Sequence, residues 1–94
     1  MPAPEQFDEL RTTSERLLVD FLENEVRLGS TFLELAATER ELGNMQHSHQ
    51  ARHDAEEAVN SIRRFLVRVN GPRAKASIER DCEELARSIE GLNS

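Results

Sequence analysis

The sequence predicts an all-α protein: an antiparallel three-helix unit, made of a helical hairpin and a third packing helix. Three observations carry this. Apolar residues recur at three- and four-residue intervals through three segments. Helix-breaking groups, Gly43-Asn44 and Asn70-Gly71-Pro72, fall between those segments. No segment alternates as a strand for long. "FLVRV" (Phe65 to Val69) does so briefly, but it completes a helical stripe that begins at Ala55, and length decides for the helix.

The first helix is expected from about Thr13 to Leu42. Leu18, Phe21, Leu22, Leu28, Phe32, Leu35 and Ala36 form its main stripe, and Val19, Val26 and Leu33 form an adjacent one. This arc is wider than one partner helix needs. Either the helix sits against two neighbours, or the second stripe faces outward and binds another chain. Thr12 followed by Glu15 fits a capping box. Upstream, however, Phe7, Leu10, Ser14, Leu17 and Phe21 keep the same spacing, and Pro4 suits a first turn. Both starts, Pro4 and Thr13, stay open. Gly29 and Ser30 sit mid-helix, where Gly costs about 1 kcal/mol relative to Ala; a close neighbour or a bend is expected there.

Gly43-Asn44 ends this helix, because Gly accepts the left-handed conformation of a C-terminus. "MQHSHQ" (Met45 to Gln50) is expected as a polar connection. The second helix starts near Ser48 or His49 and runs to about Val69. Its stripe is Ala55, Ala58, Val59, Ile62, Phe65, Leu66 and Val69. Gly71 is expected to close it and Pro72 to stop it. The third helix is expected from about Arg73 to Gly91, with one narrow seam of Ile78, Cys82, Leu85, Ile89 and Leu92 and a cap at Gly91-Leu92.

Composition excludes several functions. A chain of 94 residues is one domain with a small core. Net charge is −6, and the whole deficit lies between Met1 and Gln46. Nucleic acid and anionic membranes are therefore poor partners. Cys82 is the single cysteine, so no internal disulfide forms. The N-terminus carries acids where a signal peptide needs bases, and no run reaches the length of a membrane span. The expected compartment is the cytoplasm.

Two clusters carry possible chemistry. His49 and His53 stack one turn apart on a helix, and His47 lies just upstream; such a pair can chelate zinc, nickel or copper. The remaining ligands are not supplied by local spacing, and the positive end of the helix opposes a cation. A solvated helix start is the simpler reading. Arg63, Arg64, Arg68, Arg73 and Lys75 form a window without acids, a possible dock for a polyanion. No aromatic residues interleave to stack bases, and cations also stabilise a helix C-terminus. Cys82 lies on an apolar seam with no histidine placed to activate it. No catalytic residue, cofactor or small-molecule substrate is expected.

"LGSTFLELA" (Leu28 to Ala36), the run Ala55, Ala58, Val59, Ile62 and Phe65, and Pro72 together resemble one tetratricopeptide-repeat unit, with the third helix similar to the family's capping helix. The match spans Glu25 to Pro72. The chain also resembles the three-helix domain of microtubule-interacting and trafficking type, and the layout "FLxLA … A … FLxRV" is similar to that of short bacterial proteins. The first two resemblances imply a protein-interaction module, one unit without the concave groove of a stacked array. The expected partner is another protein or a second copy in a homodimer, with Val19, Val26 and Leu33 as the interaction surface.

Overall fold

The computed structural model describes the backbone of residues 4–92 and the side chains of residues 9–92. Three helices follow one another: α1 (Pro4–Glu41), α2 (Met45–Leu66) and α3 (Pro72–Leu92). No strand occurs among the described residues. The body is a rod of 61 × 20 × 15 Å. α1 accounts for the long axis: 38 residues at 1.5 Å each make about 57 Å.

The helices run up, down and up. Phe21 of α1 meets Phe65 of α2, and Ala36 meets Ser48, so α1 and α2 are antiparallel. Arg63 lies 3.7 Å from Glu83, so α3 runs back along α2. The core lies where the three meet. Leu22 and Ile62 are fully buried, and Val59, Ile78, Cys82, Leu85 and Ile89 surround them. α3 buries the seam that its spacing predicts, apart from Leu92, which is half-exposed.

Gly29 marks the closest approach. A Cβ built there would lie 2.5 Å from Leu85 Cδ2 and 3.2 Å from Ala58 Cβ. α1 thus sits against two neighbours, α2 and α3, which is the plainer of the two readings of its wide apolar arc. The mid-helix glycine is explained by that contact.

Several boundaries differ from expectation. α1 begins at Pro4, so Thr12 and Glu15 are interior and form no capping box. The Phe7 side chain lies outside the described residues. α2 begins at Met45, not Ser48: "MQHSHQ" is helix, not connection. The reason is the tightness of the turn. Gly43 has φ +81°. Its N–H donates to Arg40 O at 3.1 Å, and Asn44 N–H donates to Glu39 O at 2.8 Å. This pair is the Schellman closure, and it reverses the chain in three residues. Ser48 then points inward, and its hydroxyl donates to Ala36 O at 2.7 Å.

α2 ends at Leu66, although Val69 beyond it is buried. Gly71 does not take a left-handed turn and does not close α2. It opens α3, since Lys75 N–H donates to Gly71 O at 2.9 Å. Glu15 completes this junction. Its Oε1 accepts the N–H of Asn70 at 2.8 Å and of Gly71 at 3.0 Å. A carboxylate therefore sits at the positive end of α3, delivered by a different helix. Gly91 is helical, and α3 runs through Leu92, whose carbonyl accepts from Arg40 of α1.

Glu15→Ala is expected to lower stability by about 1 kcal/mol, the usual cost of losing a helix cap. Glu15→Gln, which keeps an acceptor, is expected to retain most of that. Urea titration of the two variants checks this; equal losses would show that charge, not hydrogen bonding, dominates the junction.

Candidate interaction face

A helix that packs on two neighbours still leaves part of its circumference to solvent. On α1 that part carries an apolar row. Leu10, Leu17, Phe21, Leu28, Leu35 and Leu42 are exposed, from 42% at Phe21 and Leu28 to 68% at Leu42. Phe21, Leu28, Leu35 and Leu42 are each seven residues apart, and Leu10 and Leu17 continue the row at the alternate position. Seven-residue spacing with three- and four-residue steps is the pattern of a helix that meets another helix along its length. Ser14, Asn24, Thr31 and Thr38 fill the remaining places and are exposed as well.

The fold determines which stripe is outside. Leu22, Gly29 and Ala36 form the buried line of α1, and the last two are small enough for close packing. Phe21, Leu28 and Leu35, expected in the core stripe, flank that line and stay exposed. Val19, Val26 and Leu33, expected to face a partner, are half-buried and pack against the core cluster. The two rows differ from expectation in their burial because both border the buried line. A wheel of α1 alone does not say which border the neighbours cover. All three lines keep a seven-residue interval; the outer row differs in its length, running to Leu42 and continued by Leu10 and Leu17, whereas the row of Val19, Val26 and Leu33 is bounded by Thr12 and Arg40.

The row passes the Phe21–Phe65 pair, whose rings meet edge to face at 5.8 Å between centroids and 86° between planes. Arg68 lies over the Phe65 ring at 5.2 Å. Beyond Glu15, the first turns of α1 project past the α2–α3 connection.

The histidines lie apart from this face. His47 Nδ1 is 3.7 Å from Glu39 Oε2, and His53 Nε2 is 3.4 Å from Glu57 Oε1. His49 borders a hollow with Arg40, Met45, Ser48, Arg52 and Leu92. Among the described residues no group of three or more His, Cys, Asp or Glu side chains is placed to hold a metal ion. The basic run is divided: Arg63 and Arg64 lie on α2, Arg68 in the connection, and Arg73 and Lys75 on α3. Arg63 and Lys75 border one hollow together with Glu79 and Glu83, so acids interrupt the positive field there.

Cys82 is buried at the base of that hollow. Burial pushes its thiol above the ordinary value, and the nearby Arg63 offsets this only in part. The neutral thiol is therefore the folded form. Because the folded thiol holds its proton longer than the unfolded one, its contribution is complete below the ordinary cysteine pKa. It is lost as pH rises through the raised value. Cys82 is expected to resist iodoacetamide at neutral pH and to react once the chain is unfolded in urea; fast labelling of the native chain would contradict its burial.

No helix among the described residues is long and apolar enough to cross a membrane. Compared with family models, curated proteins and solved structures, the chain matches none of them.

Proposed function

We propose that the chain is a small helical protein-interaction module that docks through the exposed row of α1. The single observation behind this is that row: six large apolar side chains, Leu10 to Leu42, aligned on one outer face. Scattered apolar residues on a surface are ordinary, but an aligned, contiguous set marks a binding surface. The resemblance to a tetratricopeptide hairpin supports the same class of function. A cytoplasmic location fits the one free, buried cysteine.

The reading is tested in cells by placing a benzophenone amino acid at Leu28 and irradiating. Protein adducts are expected at Leu28 and not at Arg80, which is exposed on α3. Absence of any adduct at Leu28, to itself or to another protein, would end the reading.

A further inference from the structure

We infer that the occupant of this face is a second copy of the chain, with the two α1 helices antiparallel and overlapping along their whole length. The inference rests on the reading above and adds the partner and its register.

The argument comes from pattern complementarity. Lay Pro4 of one α1 beside Glu41 of the other, so that the helices overlap from end to end. Leu10 then faces the partner's Leu35, and Leu17 faces the partner's Leu28. Ser14 faces the partner's Thr31, so the polar places meet each other. Among the described side chains only the Phe21 layer is mixed, opposite the partner's Asn24, and there the Phe21–Phe65 pair of each copy lies near the twofold axis. Sliding the helices by one heptad so that their first turns are uncovered breaks this match, since Asn24 then faces Leu28 and Phe21 faces Thr31; sliding them one heptad the other way keeps Leu10 with Leu28 and Leu17 with Phe21 but carries Leu35 past the end of the partner's α1.

Charge selects the same arrangement. In antiparallel pairs, the positions just before each seam residue meet their own kind across the interface. With full overlap, Asp20 meets the partner's Arg27, and by symmetry Arg27 meets the partner's Asp20. A parallel pair would set Asp20 beside the partner's Glu25, and Glu34 beside the partner's Glu39. Each of those contacts is repulsive and occurs twice. The slide that uncovers the first turns would set Arg27 against Arg27 and Asp20 against Glu34, and the opposite slide would set Asp20 against the partner's Asp20.

The shape of the molecule agrees. The first turns of α1 project past the α2–α3 connection. A helix segment that short is marginal without support. Full antiparallel overlap lays the last turns of the partner's α1 along that projection, so each copy covers the other's uncovered end.

The test is sedimentation equilibrium of the full chain from about 1 μM to about 1 mM, a range that spans weak and firm association. The parent chain is expected to form dimers. Leu28→Glu with Leu35→Glu, and separately Leu17→Glu, are expected to raise the dissociation constant at least about 100-fold, with the helical circular dichroism of the monomer intact. Leu17 is 62% exposed, so that variant keeps the test valid if the double variant unfolds. Asp20→Arg is expected to weaken the dimer about tenfold, and Asp20→Arg with Arg27→Asp to restore it. A parallel pair would instead tighten on Asp20→Arg, and that result overturns the inference. So does a parent chain that stays monomeric at the highest concentration, or a dimer that persists in folded Leu17→Glu. A monomeric parent that still gives benzophenone adducts with other proteins at Leu28 would overturn self-association alone and leave the interaction reading standing.

Discussion

Gly29→Val is expected to cost about 3 kcal/mol of folding stability, at the upper end of what overpacking a tight interior does. The cost comes from geometry on both sides. A Cβ at position 29 already meets Leu85 Cδ2 at 2.5 Å and Ala58 Cβ at 3.2 Å. Leu85 is buried and has little room to swing aside. Ala58 has no rotamer to change, so α2 itself must move. Two further methyl groups on the Cβ make the separation larger. Gly29→Ala gains about 1 kcal/mol in helix propensity but meets the same two atoms, and a net loss of about 1 kcal/mol is expected. Gly91 is the control. It is helical, and a Cβ there meets nothing within 4 Å, so Gly91→Ala is expected to be neutral or stabilising by up to about 0.5 kcal/mol. Thermal unfolding of the three variants at one protein concentration checks this. Gly29→Val melting with the parent would mean that α1 does not approach α2 and α3 this closely.

The second large effect is expected at Leu22. Its side chain is fully buried at the centre of the core cluster. Leu22→Ala removes its transfer energy and leaves a cavity, a loss of about 3 kcal/mol. Leu17 is only five residues away on the same helix, yet 62% exposed. Leu17→Ala is expected to change monomer stability by no more than about 0.5 kcal/mol, while weakening association. Urea unfolding at low protein concentration separates the two quantities. Equal stability losses at Leu17 and Leu22 would mean that the outer row is covered within the monomer, and the interaction face would disappear.

The sequence makes the three helices legible because each carries its own periodicity. α3 is the clearest case: the narrow seam through Ile78, Cys82, Leu85 and Ile89 leaves one way to bury it. The ends of the helices were less legible because distant residues determine them. Glu15 looks like half of a local capping box, yet its carboxylate serves the start of α3, more than fifty residues on. "MQHSHQ" looks like a connection because it is polar. It is helical because Gly43 finishes the turn within three residues and Ser48 finds the Ala36 carbonyl. Gly91 looks like a cap but stays helical, with Arg40 from another helix at the Leu92 carbonyl.

The candidate face on α1 was legible only in part. The arc on α1 is visibly too wide for one neighbour, and that much follows from composition on a wheel. Which edge of the arc stays open depends on where α2 and α3 lie around α1, and that is a tertiary fact. Two sequence features do carry it in hindsight. Gly29 and Ala36, in line with Leu22, put small residues on one line of α1, and Ala51, Ala55 and Ala58 do the same on α2, all of them buried. Phe21, Leu28, Leu35 and Leu42 keep the seven-residue interval for one member longer than Val19, Val26 and Leu33 on the other edge, and Leu10 and Leu17 continue the row.

The most direct test of the central claim is the distance between spin labels in the assembled chain. A nitroxide on Glu9→Cys, with the buried Cys82 left in place, reports one separation between copies by pulsed dipolar spectroscopy. Full antiparallel overlap sets Glu9 opposite position 36 of the partner, so the two labels stand 27 helical residues apart, about 40 Å at 1.5 Å each. A distribution centred near that value is the expected result. A separation under about 20 Å would mean parallel helices, and the absence of any dipolar signal at a concentration of about 1 mM would mean that α1 meets no second copy.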